Sequence, residues 1–147
     1  MEKKISWVLT CAMLAFMPRL YAAPDASERL TGTPMGSPSI DYATEAVSQT
    51  VNVPSDAFDE NLNTFYASYD AEYAWVGLDL GSPHIINRVS FVPAGNPIGY
   101  MQLGVFEGAN EPDFSDAIPF FIIKDAPVIK QMNTYDVACS RGFRYVR

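Results

Sequence analysis

Two cysteines and one histidine are all the thiol and imidazole metal ligands that 147 residues provide. Cys11, His84 and Cys139 stand far apart in the chain, so no zinc spacing and no Cys-x-x-Cys redox motif exists. Basic charge is scarce too: 10 Lys and Arg face 17 Asp and Glu, a net charge of −7. Such a surface repels phosphate backbones and anionic headgroups, which excludes nucleic acid and acidic membranes as expected partners. Phosphate-binding glycine loops, nucleophile elbows and dinucleotide fingerprints are missing. So is any apolar run long enough to span a bilayer. The longest, Ile5 to Met17, follows Lys3 and Lys4, is broken by Pro18, and leads to Leu20-Tyr21-Ala22. That is a secretory signal pattern, expected over residues 1–22 and followed by a short leader over 23–29. It predicts an exported chain (secreted, periplasmic or at the cell surface) whose mature form has no integral membrane segment. Cys11 lies inside the apolar run with Thr10 before it, which argues against lipid attachment.

Removal of residues 1–22 would take away Lys3, Lys4 and Arg19 together with Glu2, moving the net charge from −7 to −9. Cys139 is then alone, which excludes an intrachain disulfide. A small exported domain without that staple relies on its core, a partner or a metal.

What is present is apolar and aromatic: 48% hydrophobic residues, 13% aromatic, with Pro and Gly scattered as punctuation. This suits one domain of many short strands, over residues 30–147. Leu30 to Asn52 reads as extended chain entering a sheet. Short strands are predicted at Thr50 to Val53, Trp75 to Leu80, Ile85 to Val92, Met101 to Val105, Ala117 to Lys124 and Phe143 to Val146. Alternating apolar segments separated by turn clusters predict an all-β, antiparallel β-sandwich.

The order of several short motifs is more specific. Ala57-Phe58-Asp59, Asn63-Thr64-Phe65-Tyr66 and Trp75-Val76-Gly77-Leu78-Asp79-Leu80-Gly81 come first. Ile86 to Pro93, Gly104 to Asn110 with Pro112-Asp113-Phe114, and Arg144-Tyr145-Val146-Arg147 follow. In this order they resemble the discoidin family, also called coagulation factor V/VIII type C, over about residues 30–147. The resemblance implies a galactose-binding-like jelly roll that bacteria use mostly to hold carbohydrate. It also implies a further closing strand, with a glutamate, beyond Arg147, so that the jelly roll is C-terminally incomplete with its last strand missing.

Asp59, Asn61, Asn63 and Thr64 place side-chain oxygens at short intervals in one turn, the donor type hard cations prefer. Spacing alone leaves open an Asx-rich turn whose side chains only satisfy backbone N–H groups. The resemblance implies a structural calcium here, held through Asp59, Asn61, Thr64 and carbonyls such as that of Ala57. Two departures weaken that expectation: Glu60 stands where the family has Gly, and the closing-strand glutamate is absent.

Sugar recognition needs an aromatic face for pyranose C–H groups and a few polar groups for the hydroxyls. The candidates are loop residues: Tyr69, Asp70 and Tyr73 before the Trp75 strand, and Asn96 and Tyr100 after Pro93. An ordinary set of loop-edge tyrosines is the alternative. Where the family often has Arg after the strand-ending proline, this chain has Ala94. Phe65, Tyr66 and Trp75 read as core, and His84, at a strand entrance, as structural. Asp113 and Asp116 read as a turn into a strand rather than as a catalytic pair, since a glycosidase needs two carboxylates across a shaped cleft. The expected function is therefore a secreted, non-catalytic carbohydrate-binding module that attaches to a glycan or glycoprotein, related proteins joining it to a larger enzyme or anchor. A protein-interaction or adhesion module on the same fold, and a fragment without independent function, are the alternatives.

Overall fold

The computed structural model describes residues 29–70, 72–95 and 101–147. The expected signal segment over 1–22 and nearly all of the leader fall outside the described residues. Among the described residues there are nine strands and one short 3-10 turn: β1 (Thr33–Gly36), β2 (Ser39–Asp41), β3 (Ala46–Ser48), the 3-10 turn Pro54–Ala57, β4 (Val76–His84), β5 (Arg88–Phe91), β6 (Val105–Ala109), β7 (Ile118–Ile122), β8 (Asn133–Asp136) and β9 (Phe143–Val146). All pairings between them are antiparallel. The order β1-β4-β9-β6-β7 forms a five-stranded sheet, and β2-β3 and β5-β8 form two separate pairs. Among the described residues no helix is long and apolar enough to cross a membrane.

The five-stranded sheet and the β5-β8 pair enclose the main core. Ile86, Val89 and Phe143 are buried there, packed by Leu80, Phe106, Phe121, Tyr135 and Val146 among others. Phe121 and Tyr135 bring their rings to 4.7 Å, joining an edge strand of the large sheet to β8. A second cluster gathers Ala109, Phe114 and Tyr145 with Met35, Trp75 and Ala117. The continuous apolar run of β7 fits an edge strand managed by a bulge. Pro119, which has no N–H to offer, sits where the register with β6 shifts between Phe106 and Glu107.

Three expectations are corrected. Thr50 to Val53 is not a strand: Ser48 Oγ accepts the N–H groups of Thr50 and Val51, and Asn52 has φ +54°, so the segment curls instead of extending. Met101 to Leu103 forms a turn leading into β6, with Leu103 at φ +65° and the Gly104 N–H donating to the Met101 carbonyl. Phe65 is not core, being 37% exposed. Strand β8 had no sequence signal, because Asn133-Thr134-Tyr135-Asp136 carries only one apolar residue.

Candidate functional site

Strand directions decide which loops can cooperate. β4 and β6 both run antiparallel to β9, so they start at the same end of the sandwich, where β7 ends. The segment entering β4 carries Tyr69, Asp70 and Tyr73. The described ends of the 92–104 connection reach the same end, where Lys130 N–H donates to the Pro93 carbonyl at 3.0 Å. Asn96 and Tyr100 lie outside the described residues.

Tyr73 is 94% exposed and Tyr69 48% exposed. Tyr73 also has φ +58°, an uncommon conformation for an aromatic residue. No hydrogen bond joins the side chains of Tyr69, Asp70 or Tyr73 to another described residue. Both ends of this loop are pinned to consecutive residues. Tyr69 N–H donates to the Pro38 carbonyl at 2.7 Å, and Trp75 N–H donates to Ser37 Oγ at 3.2 Å. Ser37 N–H returns a bond to the Trp75 carbonyl at 2.9 Å. The Ser37-Pro38 pair was not among the sequence candidates, although Gly36-Ser37-Pro38 is a turn cluster that marks the place.

The oxygen-rich turn closes on itself. Asp59 Oδ1 accepts the Asn61 N–H at 2.9 Å, and Asp59 Oδ2 accepts the Thr64 hydroxyl at 2.6 Å. Asn61 Oδ1 accepts the Asn63 N–H at 3.1 Å, and the Thr64 hydroxyl also lies 2.8 Å from the Asn61 carbonyl. The Thr64 hydroxyl, then the Asn61 N–H, holds the Asp59 carboxyl below its usual range. Glu60 adopts φ +64°, the left-handed conformation that a glycine would take without strain. Its carboxylate is neutralised by Arg29, whose other guanidinium nitrogen donates to the Phe58 carbonyl at 2.7 Å. Ala57 ends the 3-10 turn just before this segment. Asp59, Asn61 and Thr64 are thus gathered with carbonyls, a donor set that suits a hard cation. Asp59 brings a carboxylate outside the Arg29–Glu60 ion pair, although the Arg29 charge also acts on it. Among the described residues no group of three or more His, Cys, Asp and Glu side chains is placed to hold a metal.

The other acids serve the scaffold. Asp79, in the Trp75–Gly81 motif, takes Arg144 Nε at 2.8 Å and Nη2 at 2.9 Å, tying β4 to β9. That paired bond, then the Gly81 N–H, lowers its pKa. Asp116 accepts the N–H groups of Asn110 and Glu111, each at 3.0 Å, and pairs with Arg141. Asp113 accepts the Ser115 N–H at 3.0 Å. These bonds make the Asp113–Asp116 segment a turn into β7, with no cleft between two free carboxylates. His84 Nε2 sits 3.1 Å from Ser82 Oγ at the end of β4.

No family model matches the sequence, and no curated protein matches it either. Among solved structures, the chain is similar to the CBM62 from Clostridium thermocellum Xyl5A. Sequence identity is 36% and the TM-score 0.70, over 80% of this chain and 81% of that one. It is also similar in fold to CpGH89CBM32-5 from Clostridium perfringens, solved with GalNAc-β-1,3-galactose. There the identity is 14% and the TM-score 0.51, over 78% of this chain and 79% of that one. These are carbohydrate-binding modules of galactose-binding-like sandwich fold.

Proposed function

The chain belongs to the CBM62 family of carbohydrate-binding modules, and from that premise we propose that it holds glycan on the loop carrying Tyr69, Asp70 and Tyr73. The observation that carries the assignment to glycan is the shared sequence and fold with CBM62 over four-fifths of the chain. The placement on this loop is supported by Tyr73, whose ring is 94% exposed on a stem pinned at both ends. A ring kept bare in water has no core role, and a pyranose C–H face is the partner its surface fits. Asp70 beside it supplies acceptors for sugar hydroxyls, and Asn96 and Tyr100 are proposed to join from the neighbouring connection.

In this reading the module is exported, binds glycan without catalysing any reaction, and serves to keep a larger enzyme or anchor at its glycan or glycoprotein. The discoidin-like order of motifs then marks the scaffold, and the ligand is set by the loops. A glycan microarray and titration with the mature chain test the proposal. Tyr73→Ala is expected to weaken binding roughly 30-fold, the effect of losing a central aromatic anchor. Full retention of binding by Tyr73→Ala would place the site elsewhere.

We further propose that the Asp59–Thr64 turn takes a calcium ion for stability rather than for sugar contact. With a single carboxylate outside an ion pair the site is weak, and at about ten times its Kd calcium would raise Tm by roughly 3–5 °C. Coincident melting curves in calcium and in chelator would leave the turn as a self-contained Asx turn.

A further inference from the structure

We infer that the Ser37 hydroxyl is the positioning group of the tyrosine loop, an inference that rests on the reading of that loop as the glycan site. β1 pairs with β4 up to the rung Gly36↔Val76. At the next rung a regular antiparallel ladder would have the Ser37 carbonyl accept the Trp75 N–H. Instead the Ser37 side-chain oxygen takes that N–H at 3.2 Å, while its carbonyl turns away to accept the Tyr66 hydroxyl at 3.1 Å. The serine therefore stands in for its own backbone and serves two partners at once.

The next residue completes the switch. Pro38 has no N–H, so the ladder with β4 ends there. Its carbonyl accepts the Tyr69 N–H at 2.7 Å, and Ser39 bridges to Ser68. From Ser37 to Pro38 the chain thus changes partner, from the strand that leaves the loop to the segment that enters it. The entry and the exit of the 69–75 loop are thus both fixed on two adjacent residues of one segment. A loop anchored in this way at both ends carries the bare Tyr73 ring on a fixed stem. Trp75 fixes the exit further by packing its ring 5.5 Å from that of Phe114.

Without the hydroxyl the Trp75 N–H loses its acceptor and the exit of the loop loosens, shifting Tyr73 relative to Tyr69. The contribution is to ligand affinity through the geometry of the tyrosines, with Ser37 itself touching no sugar. The test uses Ser37→Ala and the isosteric pair Ser37→Thr and Ser37→Val. Binding is read on printed galactose-, GalNAc-, xylose- and arabinose-terminated glycans, with amide exchange at Trp75 and Tyr69 read in parallel. S37A and S37V are expected to bind roughly five- to tenfold more weakly and to exchange the Trp75 amide faster, while S37T keeps both near wild type. Wild-type binding by S37V overturns the inference, as does equal weakening of S37T and S37V, which would make the effect one of packing. If S37A fails to fold, the Thr–Val pair still separates hydroxyl from volume. Loss of binding in Tyr73→Ala with none in S37V leaves the glycan site standing and removes only the role of Ser37. Full binding by Tyr69→Ala, Tyr73→Ala and S37V, or no glycan held by the wild type, removes the site and the inference together.

Discussion

Phe143→Ala is expected to cost about 3–5 kcal/mol, a large share of the 5–15 kcal/mol that holds a typical domain together. Three observations place this side chain at the top of the range. It is 2% exposed and belongs to the main core with Ile86 and Val89. Its ring stacks on Phe120 with centroids 5.8 Å apart. It also lies directly over Gly108, where an added Cβ would come within 2.3 Å of the ring. Space has been made for the ring on the backbone of the neighbouring strand. Removing the ring leaves a void floored by glycine, which has no side chain to fall into it, so relaxation is limited. β9 is also the middle strand of the five-stranded sheet, and loosening it weakens both the β4 and the β6 pairings. Urea unfolding followed by tryptophan fluorescence measures the effect as a shift in midpoint at constant slope. A loss below about 1 kcal/mol would mean that the two sheets collapse onto each other without this residue.

The fold was legible where physics is local. Ile85 to Val92, Ala117 to Lys124 and Phe143 to Val146 each contain a strand, and Trp75 to Leu80 covers the start of β4, which runs on through Gly81-Ser82-Pro83 to His84, so that His84 ends a strand instead of entering one. The reading failed where side chains bond to the nearby backbone. Ser48 and Asn52 curl a segment whose alternation looked extended. It failed again at β8, whose pairing with β5 rests on contacts such as Ser90 with Thr134 and Arg88 with Asp136, which have no one-strand signature. The oxygen-rich turn could be located from Asp59 to Thr64, but whether its oxygens face inward is set by hydrogen bonds. Tyr73 was legible as a loop tyrosine. What holds its loop was not, because Ser37 lies 38 residues before Trp75 and only the sheet brings them together.

Gly77→Ala tests the same middle strand from its other side, and it is expected to cost about 2–3 kcal/mol, lowering Tm by roughly 10 °C. In the Trp75–Gly81 motif this glycine looks like a spacer between Val76 and Leu78. In the sheet it is a point of close approach between β4 and the end of β9. A Cβ there would lie 2.1 Å from the Val146 carbonyl oxygen and 2.9 Å from Arg147 Cβ. Neither atom belongs to a flexible side-chain end, so the strands themselves must separate. The displacement would reach the neighbouring pairs Leu78↔Val146 and Asp79↔Tyr145, and with them the paired Asp79–Arg144 bond. It would also pull on Arg147, whose guanidinium pairs with Glu107 and covers the Phe114 ring at 4.2 Å. Gly95→Ala is the control, since nothing lies within 4 Å of its added Cβ, and its melting should stay within a few tenths of a kcal/mol of wild type or rise slightly. Calorimetry on the two variants separates the effect of close approach from that of glycine entropy. If Gly77→Ala melts with the wild type, β9 can slide along β4 at no cost. The burial of Phe143 would then have to be held by β6 alone, through Gly108.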